Sequence, residues 1–463
     1  MAGSRWEMED GRFSAIEHLK LSIFHACSSF QIVKEIVSSP SAIVQNEFES
    51  IRAVFQKNVL PTYARYDLAL SHGAGSYVFD VAGRRYLDLG GGIAVNCLGH
   101  AHPAITEALV AQSQKLIHTC NLYYTEPQGR LAAEIVKRIG DGKVFFSNSG
   151  VEANEGLFKL ARKFGHDEGR FEILTATNSF HGRTLAGIAA TGQDKVKKGF
   201  DPMTPGFRHI PYNDLEAARA AISPATVAIL VEGVQGEGGV MPATPAYLLG
   251  LRALCDEKKL LLLMDSVQCG HFRTGKYQSF QRILETTPDG EKFLPDGISM
   301  AKSLGGGFPI GAFWVRAPYA DLLGPGSHGT TCGGSPIACA VALKVFEVIE
   351  REKLDAQARK LGDWMLKELK RLAEVCPGVV KNARGLGFML GLELVEKEKI
   401  PAFASSDKTA AVQFTNRMHA AGVMIVPAGA QVLRLLPPLN LKPQEAGEGI
   451  SKIEEVVKSL ANV

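Results

Sequence analysis

The pattern of apolar and polar positions becomes regular from about residue 75 and predicts that the chain enters a folded body there. Short strand-like runs at Ser76–Asp80 and Arg84–Leu89, joined by a turn at Ala82–Gly83, predict a hairpin. Apolar residues then recur at helical spacing over Pro103–Ile117 and Glu126–Ile139. We therefore expect a hairpin followed by two helices.

Strands and helices alternate through the middle of the chain. Helices are predicted to begin at about Val151 and Pro245. The apolar runs that predict strands are continuous rather than alternating, as in strands that are covered on both faces. These runs are Val144–Ser147, Phe171–Ala176, Val227–Val231 and Leu260–Asp265. The alternation predicts an α/β fold with a large, mainly parallel sheet covered by helices.

The pattern changes after Gly333 and Gly334 and predicts a smaller α+β domain. Its expected elements are helices at Ile337–Glu350, Leu354–Leu372, Lys408–Ala421 and Pro443–Leu460, with a strand at Phe388–Val395. We expect residues 46–105 to form an N-terminal segment of this small domain, residues 106–335 the large domain, and residues 336–463 the C-terminal part of the small domain. Residues 1–45 form an N-terminal extension of unknown role, in which Leu19–Val33 is compatible with an amphipathic helix.

Composition excludes several classes of protein. The chain has 463 residues, and 51 basic against 48 acidic side chains give a net charge of +3, without a long basic block, so we expect no nucleic-acid partner. No window approaches the roughly 18 apolar residues of a membrane span, so we expect no membrane association. The eight cysteines lack CxxC spacing, which favours reduced, mostly buried thiols and a cytoplasmic location. The histidines lack an HExxH pattern, so we expect no metal site.

An aspartate and a lysine are the first candidates for chemistry. Asp265 ends the predicted strand that begins at Leu260, and α/β sheets bind ligands at the carboxyl ends of their strands. Lys302 precedes the triplet Gly305–Gly307, which would allow a flat ligand to approach the backbone. A single lysine is ordinarily a solvated surface residue. Its combination with a strand-end aspartate favours a covalent role for the amine.

Two further motifs suggest a phosphate site and a ring site. Ser149, Gly150 and Val151 follow a predicted strand and open a helix, so their N–H groups and the helix dipole could bind a phosphate. This signal is weak alone because many strand-to-helix turns are rich in glycine. Phe180 and Arg183 place an aromatic ring near a guanidinium. Such an aromatic is usually core, but it could also stack on a planar ligand.

Together these motifs resemble those of the class III, or omega-amino acid type, aminotransferases, which depend on pyridoxal 5′-phosphate (PLP). The resemblance runs from about Thr62 to the end of the chain and implies the PLP-dependent transferase fold type I, with a seven-stranded sheet in the large domain. The motifs that carry it are Gly91–Asn96, Gly99–Pro103, Asn121–Pro127, Asn148–Glu155, Phe180–Thr184, Asp265–Gln268, Arg273–Gly275, Lys302 with Gly305–Gly307, and His328–Thr331.

The resemblance implies how the cofactor would be held. Lys302 would carry PLP on its amine, and Asp265 would pair with the ring nitrogen; both would be catalytic. Gln268 would bond the ring hydroxyl, and Phe180 would stack on the ring.

The phosphate of PLP would be bound by residues from two subunits. Ser149, Gly150 and Val151 would bind it from the subunit that holds the ring. Thr331 would reach it from the neighbouring subunit, which implies a homodimer with shared active sites.

Three residues are implied to bind the substrates, an amino acid and a 2-oxo acid. Arg183 would bind a substrate carboxylate, and Arg434 would bind the α-carboxylate of glutamate. Glu237 would neutralise Arg434 when the other substrate is bound. Because this pair serves two alternating substrates, it favours transamination over decarboxylase or aminomutase chemistry, which the same fold also carries.

Within the family, the resemblance is greatest to members that act on N-acetylornithine. It implies amino transfer to 2-oxoglutarate, giving N-acetylglutamate 5-semialdehyde and glutamate in arginine biosynthesis. Ile93 favours an N-acylated donor, because ornithine-specific members typically carry tyrosine there. Ornithine, 4-aminobutyrate and succinylornithine stay open as alternative donors. The chain departs from the family pattern at Ser266, His271 and Ser335, none of which carries an implied role.

Overall fold

The computed structural model describes residues 40–461, with side chains from residue 47. The predicted helix at Leu19–Val33 lies outside this range. The described chain falls into two compact units. The smaller unit comprises residues up to 71 together with 80–84, and the larger unit comprises residues 72–79 and 85–463.

The smaller unit contains helix α1 (Pro40–Asn58), which begins at a proline and carries Lys57 in its last turn. Both features favour a helix, because proline fits the first turn and a cation near the carboxyl end offsets the helix dipole. The Arg65 guanidinium lies 5.1 Å from the centre of the Phe55 ring within this unit.

The helices of the larger unit follow the predicted order. They are α2 (Gly91–Ala94), α3 (Pro103–Ser113), α4 (Glu126–Ile139), α5 (Gly150–Phe164), α6 (Leu185–Ala190), α7 (Leu215–Ala221), α8 (Pro245–Lys258), α9 (Ser279–Ile283), α10 (Pro336–Glu352), α11 (Leu354–Val375), α12 (Pro401–Ala404), α13 (Ala410–Ala420) and α14 (Pro443–Ala461). The helix predicted over Pro103–Ile117 ends at Ser113, and Leu116 and Ile117 beyond it are exposed. No helix between residues 40 and 461 is both long and apolar enough to cross a membrane.

Within residues 40–461, the strands form one large sheet and three small ones. The strands are β1 (Leu70–Ala74), β2 (Tyr77–Asp80), β3 (Arg85–Asp88), β4 (Gly142–Ser147), β5 (Glu172–Ala176), β6 (Phe207–Ile210), β7 (Thr226–Glu232), β8 (Val234–Gln235), β9 (Met241–Pro242), β10 (Leu261–Asp265), β11 (Gly297–Met300), β12 (Gly311–Arg316), β13 (Val380–Leu386), β14 (Met389–Leu394), β15 (Val423–Met424), β16 (Val426–Ala428) and β17 (Val432–Leu435).

The large sheet has seven strands in the order β4-β12-β11-β10-β7-β5-β6. Neighbouring strands from β11 to β6 run parallel, and β12 is antiparallel to both of its neighbours. Every residue of β7 and β10 is buried, which explains their continuous apolar runs. The predicted fold class, a mainly parallel seven-stranded sheet of fold type I, is confirmed.

Strands from both ends of the larger unit pair with each other. β15 lies parallel to β3, with Val423 opposite Leu87. β13, β14, β17 and β16 form an antiparallel sheet, and the register places Gly391 of β14 opposite Arg434 of β17.

Five of the seven described cysteines are buried, as expected; Cys120 and Cys332 are exposed.

Candidate active site

A cavity of about 430 Å³ opens beyond the carboxyl ends of β4, β7, β10 and β11. This is where ligands bind in α/β sheets. Its lining residues are Val95, Asn148–Val151, Asn154, Phe180–Arg183, Glu232, Asp265, Val267, Gln268, Ala301, Lys302 and residues 307–310. Most of the residues that the sequence singled out therefore meet in one place.

Lys302 lies directly beyond β11, with its side chain in the cavity wall. Its backbone is left-handed, with φ of +50°, a conformation that is uncommon for residues other than glycine. The next residue, Ser303, is buried, and its hydroxyl donates a hydrogen bond to the carbonyl oxygen of Ala94 at 2.7 Å. Burial and the positive charge of Arg434 lower the pKa of Lys302 to about 8. The amine can therefore lose its proton near neutral pH.

The three glycines after Lys302 serve different purposes. A Cβ on Gly305 would lie 2.0 Å from the carbonyl oxygen of Phe308, and Gly306 adopts φ of +55° against Val345. Only Gly307 lines the cavity. The expectation that the triplet allows a ligand to approach therefore applies to Gly307, and the other two permit a tight turn.

Asp265 ends β10 and is 4% exposed. Its Oδ2 accepts hydrogen bonds from Asn154 Nδ2 and His181 Nδ1, both at 2.8 Å, and its Oδ1 accepts one from the Val267 N–H at 3.0 Å. Burial alone would raise the pKa of Asp265, but these hydrogen bonds and the nearby His181 outweigh burial and lower it. The carboxylate stays ionised and fixed in orientation.

The N-terminus of α5 faces the same cavity through Gly150 and Val151. Ser149 caps the helix, because its hydroxyl accepts a hydrogen bond from the Glu152 N–H at 3.3 Å. A Cβ on Gly150 would lie 2.7 Å from Val267, so glycine is required for this close approach. The first N–H groups of a helix have no partner within the helix and attract anions.

Phe180 and Arg183 lie together at the cavity wall. The Arg183 guanidinium is exposed and lies 5.4 Å from the centre of the partly buried Phe180 ring. A planar ligand and a carboxylate could thus be bound side by side, the ring by Phe180 and the acid by Arg183.

Gln268 connects the cavity to Arg434, which is buried on β17. Arg434 Nη1 donates hydrogen bonds to Gln268 Oε1 at 2.8 Å and to Glu237 Oε1 at 2.6 Å. Burial alone would raise the pKa of Glu237, but Arg434 outweighs it and lowers the pKa. The structure therefore brings Arg434 into direct contact with Glu237, the residue predicted to neutralise it.

Three predicted residues lie outside the cavity lining: Glu237, Arg434 and Thr331. Arg434 is bonded to the lining residue Gln268 and to Glu237, whereas Thr331 is exposed. Its neighbour Thr330 instead accepts hydrogen bonds from Asn148 Nδ2 at 3.1 Å and from the Gly333 N–H at 3.2 Å. The loop is thereby anchored beside the α5 N-terminus, with Thr331 exposed.

Sequence reasoning missed Asn154, His181 and Glu232, all of which line the cavity. Asn154 and His181 lie within motifs that carried the family resemblance, but no spacing indicated that they would bond Asp265. Glu232 could have been found, because it ends β7 as Asp265 ends β10.

The three departures from the family pattern lie outside the cavity lining. Ser335 caps α10, accepting a hydrogen bond from the Ala338 N–H at 3.4 Å. Ser266 and His271 are buried, and their side-chain polar atoms have no partner among the described residues. Burial lowers the pKa of His271 to about 3, so the ring is neutral.

The site's donors and acceptors fit PLP. The ionised Asp265 suits a protonated ring nitrogen, the Lys302 amine suits an aldehyde, and the α5 N-terminus suits a phosphate. All three line a single cavity, together with an aromatic side chain at Phe180.

Comparisons with known proteins agree with this chemistry. The family profile "Aminotransferase class-III" matches residues 61–457. The chain is 42% identical over 414 residues to an acetylornithine aminotransferase of Gloeobacter violaceus, covering 89% of this chain and 98% of that one. It is 43% identical over 404 residues to a succinylornithine transaminase of Salmonella paratyphi A, covering 87% and 95%.

A solved structure shows the same fold. An ornithine aminotransferase of Toxoplasma gondii, described with partial occupancy of PLP at its active site, superposes with a TM-score of 0.82 at 28% identity. The match covers 98% of this chain and 99% of that one. The chain belongs to the class III aminotransferases, and it is a PLP-dependent enzyme that transfers amino groups between amino acids and 2-oxo acids.

Proposed function

We propose that the enzyme transfers the omega-amino group of N-acetylornithine to 2-oxoglutarate, giving N-acetylglutamate 5-semialdehyde and glutamate in arginine biosynthesis. The observation that supports alternation between two substrates is the hydrogen bond between Arg434 and Glu237 at 2.6 Å. The donor is supported by the 42% identity to a relative named acetylornithine aminotransferase. Ile93 supports it too, because its apolar side chain is 37% exposed and offers no group to bind a free α-amine.

The cofactor's ring is held, in this proposal, by four side chains of the cavity. Asp265 pairs with the ring nitrogen, Phe180 stacks on the ring, and Lys302 carries the cofactor on its amine. Gln268 bonds the ring hydroxyl through its amide N–H, because its oxygen is already bonded to Arg434 at 2.8 Å. Ser149, Gly150 and Val151 bind the phosphate at the α5 N-terminus.

Lys302 also moves the proton. When bound, PLP supplies an electron sink that stabilises negative charge on the substrate carbon. When Lys302 does not carry the cofactor, its Nζ would be free in the cavity, and its pKa of about 8 would leave part of it unprotonated near neutral pH. The Nζ amine would then take the proton from the substrate carbon that bears the amino group and deliver it to the cofactor carbon that receives that group.

Two arginines divide the recognition of substrate carboxylates. Arg183, exposed at the cavity wall, binds a carboxylate present in both substrates. Arg434 binds the α-carboxylate of glutamate after Glu237 has moved away. With the long donor bound, Glu237 returns and neutralises the buried guanidinium, which is costly to leave unpaired.

The proposal includes a homodimer in the cytoplasm. Thr331 would complete the phosphate site of the neighbouring subunit, which is consistent with its exposure and its place outside its own cavity.

The proposal also includes the predicted domains. Residues 106–335 form the large domain, and residues 46–105 and 336–463 form the two segments of the small domain. The parallel pairing of β15 with β3 supports it, because it joins the two small-domain segments.

A half-reaction screen tests the donor. The PLP form is mixed in turn with N-acetylornithine, N-succinylornithine, ornithine and 4-aminobutyrate, and the loss of the cofactor absorbance is followed. N-acetylornithine should react with the highest kcat/KM. Succinylornithine is the competing donor, since a relative named succinylornithine transaminase is 43% identical to this chain. A faster reaction with any other donor would reassign the substrate.

A further inference from the structure

Glu232 is a second carboxyl in the cavity wall, beside Asp265. The two residues end neighbouring parallel strands and face each other in the strand register. Glu232 is 6% exposed, and both residues line the cavity. Two buried carboxyls this close resist ionising together, because each anion raises the energy of the other.

The partners of the two carboxyls differ sharply. Asp265 accepts three hydrogen bonds, from Asn154, His181 and the Val267 N–H. Within residues 47–461, by contrast, no group is bonded to the buried Oε2 of Glu232. The three donors around Asp265, two of which are side chains, favour its anion.

The nearby charges do not favour a second anion. Arg434 is bonded to Glu237 and Gln268, and the acids nearest to Glu232 are Asp265 and Glu237. Lys302 is a cation in the same cavity wall and by itself would favour the Glu232 anion, but burial and the Asp265 carboxylate outweigh it. Burial and the Asp265 carboxylate raise the pKa of Glu232 well above its ordinary value, against hydrogen bonds from the backbone of Gly236 and Phe180. The surroundings of Glu232 therefore favour its protonated form.

We propose that Glu232 is a positioning residue that acts as a neutral hydrogen-bond donor, with its protonated Oε2 directed to the ring hydroxyl oxygen of bound PLP. The inference rests on the cofactor-binding role proposed for this cavity. A buried O–H without a partner is costly, and an oxygen acceptor on the cofactor would satisfy it. Gln268 offers a second donor to the same oxygen, since its own oxygen is bonded to Arg434.

The opposite protonation of the two acids suits the opposite ends of one ring. The Asp265 anion matches a cationic ring nitrogen, whereas a Glu232 anion would repel an electron-rich ring oxygen. A neutral acid at Glu232 can instead donate to that oxygen. The pair thus fixes the ring from two adjacent strands.

Infrared difference spectroscopy tests the protonation of Glu232. Near neutral pH the wild-type enzyme should show a carbonyl band of a protonated carboxylic acid, and that band should shift when PLP is added to the apoenzyme. Glu232→Gln should remove the band. The matched control Glu237→Gln should retain it, because Glu237 is an ionised partner of Arg434 in the same region. A band that persists in Glu232→Gln, or that is absent from the wild type, would overturn the proposal.

The affinity for PLP, measured by equilibrium dialysis, tests the donor role. Glu232→Gln still offers an N–H donor and should bind PLP within about threefold of the wild type. Glu232→Leu should weaken binding by on the order of tenfold, the value of one hydrogen bond. Unchanged affinity in a folded Glu232→Leu would contradict the donor role. Failure of the wild type itself to bind PLP on Lys302 would instead reject the proposed function, so the two failures are distinguishable.

Discussion

Arg434 and Glu237 are bonded at 2.6 Å, yet they differ in burial. The Arg434 side chain is 1% exposed and is also held by Gln268 and by the carbonyl oxygen of Pro427. The Glu237 side chain is 28% exposed. Glu237 is therefore the partner that can rotate away, and the buried guanidinium then becomes available to a substrate carboxylate.

Replacing Glu237 should separate the two half-reactions. Glu237→Ala leaves Arg434 able to bind glutamate, so the glutamate half-reaction should stay within about twofold of the wild type. The N-acetylornithine half-reaction should slow by about tenfold to a hundredfold, if about 1.4 to 2.8 kcal/mol of neutralisation is lost. Arg434→Ala should do the reverse. Stopped-flow absorbance with each donor measures both.

A control for this prediction is Glu393→Ala, which removes the carboxylate bonded to Arg384 on β13. Arg384 is bonded to Glu393 and to the carbonyl oxygen of Gly239, and not to Glu237 or Arg434, so this variant should leave both half-reactions unchanged. Equal slowing of both donors by Glu237→Ala and Arg434→Ala would mean that the pair is only structural.

The shared phosphate site predicts complementation between subunits. A Lys302→Ala chain and a Thr331→Ala chain are each expected to be nearly inactive as homodimers. In a heterodimer, if Thr331 acts in the neighbouring site, one site carries both changes and the other carries neither. Activity should then return to about half of the wild-type value. No recovery in purified heterodimers would place the Thr331 loop in its own subunit's site.

The lowered pKa of Lys302 predicts a pH-dependent stability of the apoenzyme. Its folded pKa is about 8 against an ordinary value of 10.5, so between these values the unfolded chain binds the proton more tightly. The contribution of Lys302 to the free energy of unfolding therefore rises with pH from about 8 to about 10.5. Below about pH 8 the destabilisation by the buried ammonium is fully present. Lys302→Met should stabilise the apoenzyme near pH 7 by about 1 to 3 kcal/mol.

Urea unfolding of the apoenzyme at several pH values measures this difference. The gain from Lys302→Met should shrink as the pH rises toward 10.5. Lys292→Met, at an exposed lysine, is the control and should show no such trend. A gain that is constant with pH would show that the amine is not held out of water in the cavity.

The hydrogen bonds to Asp265 predict how firmly the cofactor is held. His181→Phe or Asn154→Ala removes one donor from the anion, and each should weaken PLP binding by about tenfold to a hundredfold. The pKa of Asp265 should rise in both variants, so the release of PLP should begin at a higher pH as the solution is acidified.

Equilibrium dialysis across a pH series measures both effects. Asn440→Ala is a matched control, because it removes an amide hydrogen bond to the carbonyl oxygen of Leu98 and lies outside the cavity lining. Wild-type affinity in both His181→Phe and Asn154→Ala would show that the Val267 N–H alone fixes Asp265.

Sequence predicted those parts of the site that depend on local order. Asp265 was found because it ends a buried apolar strand, and Ser149 to Val151 because they open a helix after a strand. Glu232 ends a strand too, but the predicted run closed one residue earlier, at Val231. Strand ends were therefore predicted within one or two residues. At this strand, an error of one residue was enough to leave Glu232 out of the predicted site.

Contacts between distant segments could not be read from the sequence. His181 meets Asp265 across 84 positions, and Arg434 meets Glu237 across 197, because the strand order brings these segments together. The family resemblance supplied the second pair but not the first. The antiparallel strand β12 was also missed, because the order of strands and helices along the chain does not show in which direction a strand runs within the sheet.

The most direct test of the account is to identify the residue that binds PLP covalently. The holoenzyme is reduced with borohydride, digested and mapped by mass spectrometry, with Lys302→Ala treated in parallel. The account predicts a pyridoxyl label on Lys302 in the wild type and none in the variant. Label on a different lysine in the wild type, or undiminished label in Lys302→Ala, would contradict it.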